Sequence, residues 1–283
     1  MTPLRQAMID AMQVRGFAPR TQQSYLDVIQ ALARYFHRSP AKLRNADLEA
    51  YFLYLVKERH LAPASCRLHL NGVVFLFREV LKRQLSMDIQ IPKQPQRIPE
   101  LLTRAEVAAS LGACGNAKHR MLLTVCYACG LRVNELVHLQ VRDIDGERQL
   151  LRIEQGKGAK DRLVEIPPTL LAQLRTYWQR FHPTRWLFPG RDPALPLSRD
   201  SAGKTFHAAK ARAGVDRVGG IHSLRHAYAT HQLAAGMPLV KLQAQLGHRG
   251  VQTTMRYLHW LPHSQGGGEA ADLLAGLEVD NVQ

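Results

Sequence analysis

A chain of 283 residues with a formal charge of +15 is long enough for two domains that each bury a core, and its natural partner is a polyanion. The excess is shared, +7 over residues 1–100 and +8 over the rest, which points to two basic lobes on one polyanion rather than a single charged tail. The N-terminus MTPLRQAMID has no signal-peptide core, and no stretch approaches the roughly 18 apolar residues of a membrane span, so the expectation is a cytoplasmic protein.

The first eighty-odd residues read as helices alone. Thr2 and Pro3 form a cap and first helical position, and Leu4, Met8, Ala11 and Met12 line one face until Gly16. A second helix follows Pro19, with Tyr25, Val28, Ile29, Leu32, Tyr35 and Phe36 at helical spacing. The third turns Leu48, Phe52, Leu55 and Val56 inward, and the fourth, after Pro63, carries Leu68, Val73, Leu76, Phe77, Val80 and Leu81. The prediction is a four-helix domain over 1–85, with Arg20, Lys42, Arg44, Arg67, Arg78, Lys82 and Arg83 outside as solvated charges or phosphate contacts.

Residues 86–99 hold three prolines and no periodicity, as an extended linker does. A second domain is predicted over 100–262, opening on a capping box at Thr103 and Glu106 and continuing in helices to about Leu139. QLLRIEQ and DRLVEIP alternate as two strands around GKGAK, a hairpin turn. From Pro168 the pattern is again mostly helical, and residues 263–283 form a tail with one apolar helix candidate, EAADLLAGLEV. The fold class is therefore mainly α with a small antiparallel sheet.

Four cysteines give no disulfide framework. Cys126 and Cys129 make a CxxC, but within the apolar run MLLTVCYACGL, where small buried side chains are the better reading than a redox or zinc half-site. His222 and His226 stand at i, i+4, a spacing that can chelate zinc, yet the residues between them include no glutamate to act as a base.

Polar residues from five segments carry the functional signal. They are Arg132 in CGLRVNEL, Lys157 in QGKGAKDR, His222 and Arg225 in HSLRH, then His248 closing LGH and Tyr257 in RYLH. Together they suit attack of a tyrosine hydroxyl on a DNA phosphodiester. Forming phenoxide at pH 7 costs about 4 kcal/mol, so the tyrosine needs a base and cationic donors. Two guanidiniums can clamp the non-bridging oxygens of a pentavalent phosphorus, and a lysine on a hairpin can protonate the leaving 5′-oxygen. With arginines supplying the positive charge, neither a metal nor another cofactor is called for.

This set resembles the tyrosine recombinases, the integrase and Xer family, over nearly the whole chain. GLRVNEL, GKGAKDRLVEIP, HSLRH, LGH and RYLH match the family's signatures in order. The resemblance implies Arg132 and Arg225 as phosphate clamps and Lys157 as general acid. It further implies His222 as base or proton relay, His248 as a second phosphate donor, Tyr257 as nucleophile and Glu135 as a supporting acid. It implies a 3′-phosphotyrosine intermediate and a Holliday junction without ATP. The assembly implied is a homotetramer, or a heterotetramer with a paralogue, on two duplex DNA sites, its C-terminal segments docking on neighbouring subunits. The expectation is a compact Xer-like or mobile-element recombinase, without an arm-binding N-terminal domain or an insertion between Lys157 and His222. Tyr228 is the rival nucleophile and Lys160 the rival acid, while His226 and His231 are given no chemistry. The other function classes are a DNA-binding regulator with a degenerate site, a metal-dependent nuclease and a type IB topoisomerase.

Overall fold

The computed structural model describes residues 2–86, 100–154 and 161–260. Most of the expected linker, the hairpin turn with Lys157 and Lys160, and the tail 263–283 lie outside the described residues. The chain divides into two compact units, Met1–Arg97 and Ile98–Gln283.

In the first unit, α1 (Pro3–Val14), α2 (Pro19–Phe36), α3 (Asn45–Lys57) and α4 (Pro63–Val74) surround one core, and α4 runs on into a π-helical turn at Phe75–Val80. The Thr2 side chain accepts from the Arg5 amide and caps α1. Met8, Met12, Leu32, Leu48, Tyr51, Leu76 and Phe77 are fully buried. Three expected core residues face outward instead: Val56 is 49% exposed, and Tyr35 and Leu68 38% each. The stripe of α3 runs through Leu48, Tyr51, Phe52 and Leu55; at about 100° per residue Val56 falls some 80° past Leu48, off that face. In α4, Cys66 and Val73 take the inward face, and Leu68 is most of half a turn away from both.

The second unit opens on the Thr103–Glu106 capping box, with both reciprocal bonds present at 2.8 and 3.1 Å. Then come α5 (Arg104–Gly112), α6 (Ala117–Ala128) and the short α7 (Val133–Val137). A three-stranded antiparallel sheet follows, β1 (Ile144–Asp145), β2 (Leu150–Ile153) and β3 (Arg162–Glu165), in that order. The β2–β3 pair is the expected hairpin, while β1 is too short to leave a periodic signal. Leu151 pairs with Val164 and both are buried, so one sheet face packs inward. Arg162, two residues before Val164, points to that same inward side. The chain closes with α8 (Pro168–Phe181), α9 (Arg199–Arg212), α10 (His222–Ala234), α11 (Leu239–Leu246) and α12 (Val251–Leu258). The central helices pack through Leu122, Leu131, Leu136, Phe188, Phe206 and Leu224, and a smaller cluster of Tyr228, Leu233, Leu242, Leu246 and Tyr257 seats α10 to α12 on one another. Cys126 and Cys129 are buried in this core, and burial pushes both thiols up to about 12, as inert apolar side chains.

Candidate active site

Glu135 lies at the centre of the polar cluster. It sits one turn into α7, and its carboxylate accepts from the Arg132 amide at 2.9 Å and from Arg132 Nη1 at 2.7 Å. It also accepts from both terminal nitrogens of Arg162, at 2.9 and 2.8 Å, and stands 3.9 Å from Arg225 Nη1. Burial alone would raise this carboxyl; the hydrogen bonds and charge of Arg162, followed by those of Arg132, hold it down to about 2.

The same three arginines meet one helix end. Arg162 Nε donates to the Gln245 carbonyl at 2.9 Å, Arg225 Nη2 to Leu246 at 2.7 Å and Arg132 Nη2 to Gly247 at 3.1 Å. These are consecutive carbonyls at the C-terminus of α11, which carry the partial negative charge of the helix dipole and have no partner within the helix. Gly247 closes α11 at φ +62°, and a Cβ there would stand 2.8 Å from Arg162 Cδ, so both backbone and space demand glycine. Gly130 does the corresponding job before Arg132. It sits at φ +58°, where a Cβ would meet the Tyr228 ring at 2.4 Å, and its carbonyl takes Arg225 Nη1 at 2.7 Å. The glycines of CGLR and LGH thus build the seats of the arginines.

Tyr257 on α12 is 4% exposed, and its hydroxyl lies 3.0 Å from His226 Nδ1. Burial raises its pKa, against the positive charge of Arg225 and Arg132 and a hydrogen bond from Arg225. His248 stacks beside the tyrosine ring, centroids 6.2 Å apart and planes 8° from parallel. Arg225 Nη2 is 3.1 Å from His248 Nε2. A guanidinium only donates, so Nε2 is the acceptor and the imidazole proton sits on Nδ1, facing Thr254 Oγ1 at 2.8 Å. Burial, then Arg225 and Arg132, push His248 down to about 4, so it is neutral. Donation from this Nε2 to a phosphate would require it to gain a proton, which an arriving anion favours. His222 opens α10 on its exposed side, its pKa lowered by the protein crowding it and by Arg225 and Arg132.

Of the residues singled out in the sequence, Arg132, Glu135, Arg225, His248 and Tyr257 converge here. Lys157 lies outside the described residues, although β2 and β3 flank its turn. Tyr228, the rival nucleophile, is buried against Gly130 with its phenol pushed up to about 12. His231 is 2.9 Å from the Tyr127 hydroxyl, away from this cluster. Sequence reading gave no role to Arg162 or His226. A charge on the inward face of an alternating strand was the available signal for Arg162; His226 offered only its place beside Arg225. Among the described residues no cluster of three or more His, Cys, Asp or Glu could hold a metal ion, and no helix is long and apolar enough to cross a membrane.

In the first unit the seven basic candidates differ. Arg20, Lys42, Arg67, Arg78 and Lys82 are exposed, as is Arg44, which stands 3.9 Å from Asp47. Arg83 is half-buried; it donates to the Ala41 and Leu43 carbonyls at 3.0 Å each and covers the Phe77 ring, so it holds this fold together. Arg78, Lys82 and Arg83 line one cavity of about 460 Å³.

A tyrosine hydroxyl held among arginines and imidazoles, on a mainly helical unit with a small antiparallel sheet, is the arrangement of a tyrosine recombinase. The model of the phage integrase family matches residues 94–263, and that of the phage integrase N-terminal SAM-like domain matches residues 4–87. A putative integrase/recombinase of Sinorhizobium fredii is 42% identical over 260 residues, covering 91% of this chain and 84% of the relative. The tyrosine recombinase XerA of Thermococcus onnurineus is 36% identical over 273 residues, 94% of each chain. Among solved structures, the Tn1549 transposon integrase in complex with a circular intermediate DNA superposes with a TM-score of 0.72 at 17% identity, over 91% of this chain and 95% of that one. The chain belongs to the phage integrase family, site-specific tyrosine recombinases that cut and rejoin DNA strands.

Proposed function

We propose that this recombinase cleaves duplex DNA by attack of Tyr257 on a phosphodiester. A 3′-phosphotyrosine forms, and strands are exchanged through a Holliday junction without metal or ATP. The observation that carries the reading is the meeting of Tyr257, Arg225, Arg132 and His248 around Glu135, from four segments spread over 125 residues of sequence. Arg132 and Arg225 clamp the non-bridging oxygens, their planar forks held by Glu135 and the α11 carbonyls while other N–H groups stay available. Lys157 protonates the 5′-oxygen, and His222 and His248 complete the phosphate surround. Residues 100–262 form the catalytic domain, 86–99 the tether, and 1–85 grip the target DNA through Arg20, Lys42, Arg44, Arg67, Arg78 and Lys82. Arg83 shares that role only through whatever its carbonyl contacts leave free. The working assembly is a tetramer on two sites, of this chain alone or with a paralogue, acting in the cytoplasm on a mobile element. Its C-terminal tails dock between subunits.

Covalent complexes trapped on a random-sequence duplex library and then sequenced identify the target. Tyr257→Phe removes one hydroxyl, so it should keep DNA binding and lose all SDS-resistant adduct. An adduct formed by the Phe variant transfers the nucleophile to another residue, Tyr228 being the first to examine.

A further inference from the structure

The Tyr257 hydroxyl has one proton, and it must leave before or during attack. The cation that most favours ionisation of this phenol is Arg225, which as a guanidinium has nothing but donors and cannot take the proton. The phenolic O–H therefore needs an acceptor elsewhere. Three imidazoles stand near. His248 has both nitrogens engaged, by Arg225 and Thr254. His222 lies one turn earlier on the exposed side of α10, and among the described residues it makes no hydrogen bond to Tyr257. His226 Nδ1 lies 3.0 Å from the hydroxyl, within proton-transfer distance.

The ring is held there. Trp260 meets His226 edge-on at 5.6 Å and Tyr257 edge-on at 5.0 Å, both at 83°, so the three rings fix one another. His226 follows Arg225 directly on α10, so one helix turn presents both the phosphate clamp and the acceptor to the same oxygen.

We infer that His226 is the general base for Tyr257, taking the phenolic proton on Nδ1 during cleavage and returning it during rejoining. The inference rests on Tyr257 being the nucleophile, as proposed above. In cleavage the bond from the Tyr257 oxygen to phosphorus forms as the bond from phosphorus to the 5′-oxygen breaks. The phenolic proton moves to His226, and the leaving oxygen takes a proton from the general acid. In rejoining the 5′-hydroxyl gives its proton back to that acid as it attacks, and the departing phenoxide recovers its own from His226.

Burial, with His222 and Arg225 nearby, pushes His226 down to about 4, which keeps its lone pair free at neutral pH but leaves it weakly basic. A phosphate seated on Arg225 brings negative charge beside the imidazole and offsets the field of that guanidinium. The base then strengthens when the scissile group is in place, which restrains proton loss from an idle nucleophile.

The test uses the full chain and a nicked duplex carrying the sequence recovered from wild-type covalent complexes. Adduct formation is timed for His226→Gln, His226→Asn and His222→Gln, each with Tyr257 as tyrosine and as 3,5-difluorotyrosine, a more acidic phenol. With natural tyrosine the His226 variants should be slower by about 10²–10⁴-fold, the usual contribution of a general base. With difluorotyrosine their deficit relative to the matched chain should shrink to under about tenfold, because less of the barrier lies in proton removal. A change that only disturbs packing gives the same deficit with either phenol. The inference is overturned if His226→Gln and His226→Asn react at the wild-type rate, if their deficits are equal with both phenols, or if His222→Gln is the variant restored. A Tyr257→Phe chain that still forms adduct would instead overturn the nucleophile itself, a separate result.

Discussion

Replacing Glu135 by Gln tests the cluster at its centre. The carboxylate takes four hydrogen bonds between 2.7 and 2.9 Å, and its side chain is 7% exposed. A carboxamide offers one oxygen and one NH₂, so part of the guanidinium fork meets a donor, and Arg132, Arg162 and Arg225 lose their shared counter-charge. Removing one partner of a buried pair costs about 3–5 kcal/mol. The depressed pKa leads to a similar figure: from 4.5 to about 2, at about 1.4 kcal/mol per pH unit, is roughly 3 kcal/mol. For a unit of this size each kcal/mol moves Tm by about 2–4 °C, so the variant should melt about 6–20 °C lower at pH 7. The pH dependence has a defined sign. Glu135 is protonated below 4.5 in the unfolded chain but only near 2 in the folded one, so its contribution is complete above 4.5 and is lost as pH falls through the folded value. The gap between wild type and Gln variant should stay level from pH 7 to about 5 and close toward 2. His226 and His248, held down to about 4, remove stability from both chains as pH falls from 6.5 to 4, and that loss cancels in the difference. Thermal melts of the two full chains by circular dichroism, side by side in pH steps, measure this. A gap under about 2 °C at pH 7, or one that widens below pH 4.5, refutes the reasoning.

Arg132→Lys and Arg225→Lys keep a charge but lose the fork and its seats on carbonyl and carboxylate, so each should slow adduct formation by about 10²–10³-fold, measured in single turnover. Lys157→Ala should be crippled on ordinary DNA and largely restored on a strand with sulfur in place of the 5′-bridging oxygen, since a thiolate leaves without an acid; Arg225→Ala should not be restored. Both units are basic, so DNA affinity should fall by orders of magnitude between about 50 and 200 mM salt, which filter binding or anisotropy reads as a log–log slope.

The helices and the hairpin were legible in the sequence because their spacing and turn residues have local causes, and five of the converging side chains because their motifs resemble the family's signatures. What was not legible depends on contacts that no window of sequence holds. Arg162 meets Glu135 across 27 residues and the Gln245 carbonyl across 83; His226 meets Tyr257 across 31. Backbone carbonyls carry no letter of their own, so the seats of the three arginines were invisible. The outward turn of Val56 and Leu68 has a different origin: which residues share the buried face is set by the neighbouring helices, and at about 100° per residue Val56 lies beside that face and Leu68 nearly opposite it.

The end of α11 also acts as a ruler. Three cations, from the cap of α7, from β3 and from α10, are spaced by the interval between Gln245, Leu246 and Gly247, about 1.5 Å of rise and 100° of rotation per residue. Inserting or deleting one residue in this eight-residue helix swings every carbonyl by about 100°, and no arginine then meets its seat. Val240, 76% exposed, can change identity freely; the count of residues between Leu239 and Gly247 cannot. Fraying of that last turn takes one seat from each of the three guanidiniums at once, leaving Arg132 and Arg162 on Glu135 and Arg225 on the Gly130 carbonyl.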